Sequence, residues 1–145
     1  MSIPGRVIIA HLGNARCYRF RGDERVLLTR PHTALAELGH LDNATPFATH
    51  NRHLLTRALG LESSTRPDIA EHLVEPGDLL LLVNAALSWA VEARPVGELI
   101  IEGASPSTVA SSIARWGDRS ATPGAVVVVR IGAAKAALPA AGTPQ

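Results

Sequence analysis

Asn84, Ala85 and Ala86 follow the apolar run "LLLLV" (79–83), at the mouth of a strand where an enzyme would place a group able to hold a metal or a substrate. An amide and two methyl groups offer little of that chemistry. Six histidines raise a second metal hypothesis. His50 and His53 lie three apart, with His40 and His32 upstream, but no carboxylate or cysteine completes a spacing such as His-Glu-x-x-His. These histidines are read as solvated or hydrogen-bonded, with His32 in a structural role beneath a loop. Nucleophilic hydrolysis would need a Gly-x-Ser-x-Gly elbow and nucleotide hydrolysis a Gly-rich phosphate loop; neither is present. For an anion, Arg16, Arg52 and Arg57 are the candidate contacts, because guanidinium pairs bidentately with phosphate. The alternative is that they are solvated or tie loops together. Asp118, beside Arg119, is a further acidic candidate.

The elements that would position these groups read as an α+β chain. "RVIIAHLG", "RCYRFR" and "RVLLT" (6–13, 16–21, 25–29) carry strand patterns, with Gly22-Asp23 as a turn, and suggest an antiparallel meander. "TALAELG" is a short helix capped by Thr33 and stopped by Gly39, with Leu35 and Leu38 on one face. "LLTRALG" and "PDIAEHLV" read as two more strands, and "EPGD" as a tight turn into "LLLLV". Helical character is expected from Glu92 onward, strongest in "SPSTVASSIARWG", where Ser105 caps, Pro106 opens and Val109, Ile113 and Trp116 share a face. "GAVVVVRIG" is expected to be a strand buried on both faces.

The 145 residues suit one domain, read as 1–131 followed by a flexible Ala/Gly/Pro tail, 132–145. With 46% hydrophobic residues but only 3% aromatic, the core must be aliphatic. A net charge of +1 provides no field to gather nucleic acid or an anionic membrane, and neither partner is expected. No segment reaches the roughly 18 apolar residues a bilayer demands. The single cysteine, Cys17, suits a reducing compartment, so a cytoplasmic location is expected.

Five stretches in order resemble the second half of the metal-dependent protein phosphatases of the PPM, or protein phosphatase 2C-like, family. "HLGNARCYRFRGD" is similar to the family's Gly-Asp-Ser-Arg segment and its hairpin, with Gly13, Arg16 and Tyr18 matching. "LTRPHTALAEL" resembles its "LTxDHS" and following helix, and "RHLLTRALG" its "RNxLTRALG". "EPGDLLLLVNAALSWAV" looks like "xPGDxLLLCSDGLTDxV" without a gap, and "GAVVVVRIG" like the last strand. The resemblance implies a partial α-β-β-α sandwich with mostly antiparallel sheet, in a family whose dinuclear Mg or Mn site activates water toward phosphoserine or phosphothreonine.

Position by position, the family's acidic ligands fall on Asn14, Ala85 and Thr122, and its remaining ligands have no counterpart here. Hard dications need anionic oxygen, and a pair of them needs several carboxylates. The expectation is therefore no metal cofactor and no catalytic residue: an inactive phosphatase-like module. The alternative is an active phosphatase completed by a separate N-terminal half. A half-sandwich leaves aliphatic surface uncovered, so self-association or a protein partner is expected.

Overall fold

A computed structural model of the chain describes residues 5–38, 54–61, 65–94, 96–100, 104–117 and 122–133. The strands are β1 (Gly5–His11), β2 (Arg16–Arg21), β3 (Glu24–Leu27), β4 (Asp68–Val74), β5 (Leu79–Val83) and β6 (Val126–Arg130). The helices are α1 (Ala34–Leu38), α2 (Ala85–Ala93) and α3 (Pro106–Ala114), with 3-10 turns at Val96–Leu99 and Arg115–Gly117. No helix among the described residues is long and apolar enough to cross a membrane.

Among the described residues all strand pairing is antiparallel, in a four-stranded sheet of order β3-β2-β5-β6 and a two-stranded sheet, β1-β4. The larger sheet carries the core. Tyr18 and Phe20 on β2 and Leu79, Leu81 and Val83 on β5 present one face, which α2 and α3 cover with Leu87, Val91, Val109 and Ile113. Burying such aliphatic side chains contributes ~1.5–3 kcal/mol each, which is how a core with so few aromatic residues holds. Ser105 caps α3 by accepting from the Thr108 amide at 3.1 Å, with Pro106 in the first turn. Thr33 caps α1, its hydroxyl accepting from the Ala36 amide at 3.3 Å.

The "EPGD" turn is pinned by charge as well as by Gly77, whose φ is +97°. Asp78 is 1% exposed, accepts Nε and Nη2 of Arg21 at 2.7 and 2.8 Å, and takes the Glu75 amide at 2.9 Å. That fork outweighs the burial that opposes it and holds the Asp78 carboxyl below the usual aspartate value.

Four sequence expectations are corrected. The meander does not form: β2 and β3 make a hairpin, but β1 leaves the sheet and pairs with β4 from Gly5↔Val74 to His11↔Asp68. The segment "LLTRALG" is not a strand but a turn region with one isolated bridge, Thr33↔Leu55, because main-chain bonds tie it to the start of α1 instead. Helix begins at Ala85, not Glu92, so "AALSWAV" is α2 rather than an extension of β5. Finally, β6 is buried on one face only: Val126 and Val128 pack on the core, while Val127 and Val129 are 56% and 42% exposed.

Candidate functional site

Two chain crossings bring the sequence-predicted positions together. At the first, β5 ends and α2 begins at Asn84, which sits at the helix N-cap without capping it. Its Oδ1 accepts from the Ala125 amide at 3.1 Å and its Nδ2 donates to the Pro123 carbonyl at 2.8 Å. The amide is thus spent on fastening the 122–125 segment to the mouth of β5. The backbone N–H of Asn84 adds a third tie, donating to the Ala125 carbonyl at 3.1 Å. Ala85 opens the helix with a methyl group, and Thr122 is the first residue of the fastened segment.

At the second crossing, Gly13 turns the chain at a φ of +83°, a conformation that disfavours any side chain, and Asn14 follows. The Asn14 Oδ1 faces Arg16 Nη2 at 3.5 Å, and the same guanidinium is ion-paired with Glu92 on α2. Arg16 and Asn84 line one apolar cavity of about 350 Å³ between the two sheets, together with Ile9, Leu82, Val126 and Val127. Cys17 lines it too. It is 2% exposed, and burial pushes its thiol up to about 11, which leaves it inert.

Of the three candidate anion contacts, Arg16 faces Glu92, and Arg57 grips Asp68 through two bonds of 2.7 and 3.2 Å with Glu37 at 4.0 Å. A phosphate would have to displace a carboxylate at either one. Arg52 lies outside the described residues, as do His40, His50, His53 and Asp118.

The structure also makes a cluster that no sequence spacing announces. His11 ends β1, Asp68 starts β4 as its register partner, and His32 enters from the loop before α1. One ligand atom from each lies within 4.8 Å of the others. The rings of His11 and His32 are tilted against each other with centroids 4.4 Å apart. This geometry is a hydrogen-bonded brace rather than a ligand set. Gly13 N–H donates to His32 Nδ1 at 3.1 Å, so the neutral ring carries its proton on Nε2 and points it at Asp68 Oδ2, 3.1 Å away. Binding a metal through that nitrogen would require breaking the Gly13 bond. Asp68 is held well below the usual carboxylate range, first by Arg57 and then by His32. Burial, then the neighbouring His32, lowers His11, whose Nε2 is buried without a hydrogen-bond partner among the described residues. His32, expected beneath a loop, is 1% exposed and holds the turn at Gly13.

No protein-family model matches the chain. Among curated proteins it is similar to the protein phosphatase PhpP of Streptococcus pneumoniae, 28% identical over 101 residues that make up 68% of this chain and 41% of PhpP. A 2C-type phosphatase of Streptococcus pyogenes is 27% identical over 89 residues. Among solved structures, PppA of Pseudomonas aeruginosa, a key regulatory component of its T6SS, superposes with a TM-score of 0.69 and 26% identity, over 87% of this chain and 53% of PppA. The Mycobacterium tuberculosis phosphatase PstP gives 0.67 and 25%, over 85% of this chain and 53% of that one. The chain therefore spans less than half the length of these curated relatives and about half of the solved chains.

These findings overturn the expectation of no cofactor. The relatives are protein phosphatases, and the catalytic domain of PstP has been solved with two manganese ions, which makes a divalent metal the cofactor this likeness implies. The described residues do not form its donor set. Asn84 is committed to backbone, Ala85 has no donor atom, and Asn14 faces a guanidinium that would repel a dication. Carboxylates for such a pair must come from elsewhere.

Proposed function

We propose that this chain, whose relatives and structural neighbours are PPM-type serine/threonine phosphatases and which carries part of their fold, is a binding and regulatory module that hydrolyses no phosphate ester with its own residues. The observation that carries the reading is the identity and engagement of the site positions. Asn14, Ala85 and Thr122 stand where the family likeness places carboxylates, and the amide beside Ala85, Asn84, is tied at both ends. A water activated for attack on phosphorus needs its pKa lowered by cations that carboxylates hold, and neutral oxygens beside Arg16 do not gather them. We place the module in the cytoplasm, where a lone buried thiol persists.

A second reading rests on length. Because the chain covers 41% of PhpP and 53% of PppA, an acidic N-terminal half on a separate polypeptide or segment could complete a working phosphatase around this frame.

Turnover of p-nitrophenyl phosphate and of a phosphothreonine peptide, measured with manganese in excess, tests both. The lone chain is expected to give no rate above the buffer blank. Manganese-dependent turnover by the lone chain overturns the first reading, and turnover that arises only on adding an acidic half-domain establishes the second.

A further inference from the structure

We propose that β6 is the seam of a twofold dimer, in which the edge strands of two copies pair antiparallel about Val128. The inference goes beyond the phosphatase likeness and does not depend on it.

Among the described residues, strand β6 is the last in its sheet, next to β5 alone. Edge strands of monomers are normally guarded by charges, proline or a bulge, and Val126–Val129 has no charge and no proline. The charge at its end is turned away, as Arg130 Nη2 donates to the Ala104 carbonyl at 2.8 Å.

The direction of the free backbone groups follows from the bonds at the two ends of the β5–β6 ladder. Ile131 N–H donates to the Asp78 carbonyl at 2.8 Å, and Asn84 N–H to the Ala125 carbonyl at 3.1 Å. Antiparallel ladders alternate, so residues 125, 127, 129 and 131 bond to β5, and the N–H and C=O groups of Val126, Val128 and Arg130 point out from the edge.

A second copy related by a twofold axis at Val128 meets this pattern without an unmatched group. Val128 lies opposite itself and Val126 opposite Arg130, each as a pair exchanging both bonds, so every outward group finds a partner. Val127 then faces Val129 of the other copy as a close, non-hydrogen-bonded pair of β-branched side chains, the type of contact that stabilises sheets. These are the two exposed valines, and Leu82, the cross-strand neighbour of Val127 and 39% exposed, continues the apolar stripe. The two Arg130 side chains sit at opposite ends of the seam, and a net charge of +1 sets little repulsion against association. An interface of this kind is isologous and closes at two copies.

Light scattering on the full chain, over a broad concentration range, is expected to give twice the monomer mass at the upper end. V127K/V129K places lysine opposite lysine and is expected to give a monomer with unchanged far-ultraviolet circular dichroism. V127E/V129E should likewise be monomeric alone, and mixing the two variants should restore the dimer as a heterodimer, since each lysine then faces a glutamate. V128P, which removes an outward N–H and none from the β5 ladder, decides the matter if the charged variants do not fold. A monomeric wild-type chain overturns the proposal. A dimer that survives these substitutions, or two charged variants that stay monomeric when mixed, overturns it equally.

Discussion

Replacing Gly124 by alanine tests whether the segment fastened to Asn84 is packed as tightly as its neighbours indicate. An added Cβ would lie 2.8 Å from Leu87 Cγ and 3.1 Å from both Leu87 methyl groups. Leu87 is 0% exposed and lies in the core cluster, so it has no solvent to move into. Gly117 is similarly close: a Cβ there would meet Leu87 Cδ2 at 3.0 Å and Gly124 Cα at 3.3 Å. Overpacking of this kind costs about 1–3 kcal/mol. Removing glycine freedom from the unfolded chain returns about 0.4–1 kcal/mol. The net expected for Gly124→Ala is a loss of about 1–2 kcal/mol, read from the midpoint of urea unfolding at unchanged slope. The mechanism is separated from any general glycine effect by Leu87→Ala, which alone should cost about 2–5 kcal/mol by leaving a cavity. In that background the new methyl group has room, so the double variant should be more stable than the sum of the singles by about 2 kcal/mol. Additive losses, or Gly124→Ala within ~0.5 kcal/mol of the wild type, would refute the packing argument.

Two further outcomes follow from the braces. Asn84→Ala removes both side-chain bonds to the 122–125 segment and should lower stability by about 1–2 kcal/mol in the same assay, with accelerated amide exchange at Ala125. His11 gives a pH dependence. Its folded value is lowered from the ordinary 6.5, by burial first and by His32 second, against the opposing charge of Asp68; Arg57 faces it as well. The unfolded chain therefore binds the proton more readily, so this contribution is complete above pH 6.5 and is lost as pH falls from there through the folded value. Melting temperatures should decline over that window for the wild type and decline less for His11→Gln, while Asp68, also lowered, acts in the same direction only below its ordinary 3.8.

What the sequence disclosed and what it hid divide along the range of the forces involved. Ser105-Pro106, Thr33 and the "EPGD" turn are local devices, set by backbone bonds a few residues away, and each forms as its residues indicate. The partner of β1 is not local. Gly13-Asn14 looks like the turn of a hairpin into β2, but Gly13 bonds instead to His32 at both its N–H and its C=O, and β1 finds β4 beyond a long excursion. The brace of His11, His32 and Asp68 is a consequence of that pairing, so nothing in the spacing of these residues could have announced it. The sequence showed that Asn84 offers little metal chemistry, but not its partners, which lie across the fold rather than in its own helix.

The four valines of β6 are the most informative mismatch. A run with no polar alternation ordinarily belongs to a strand covered on both faces. Here α3 covers one face, while on the other Val127, which lines the cavity against β1, and Val129 remain 56% and 42% exposed beside an edge whose backbone groups point outward. The apolar character of the segment therefore exceeds what the described fold uses, and at ~25 cal/mol per Å² that surplus is a driving force for covering it. The proposed pairing of two β6 edges would complete the backbone bonds and bring the exposed valines of the two copies against each other, and the light-scattering test of that pairing is equally a test of this account of the four valines.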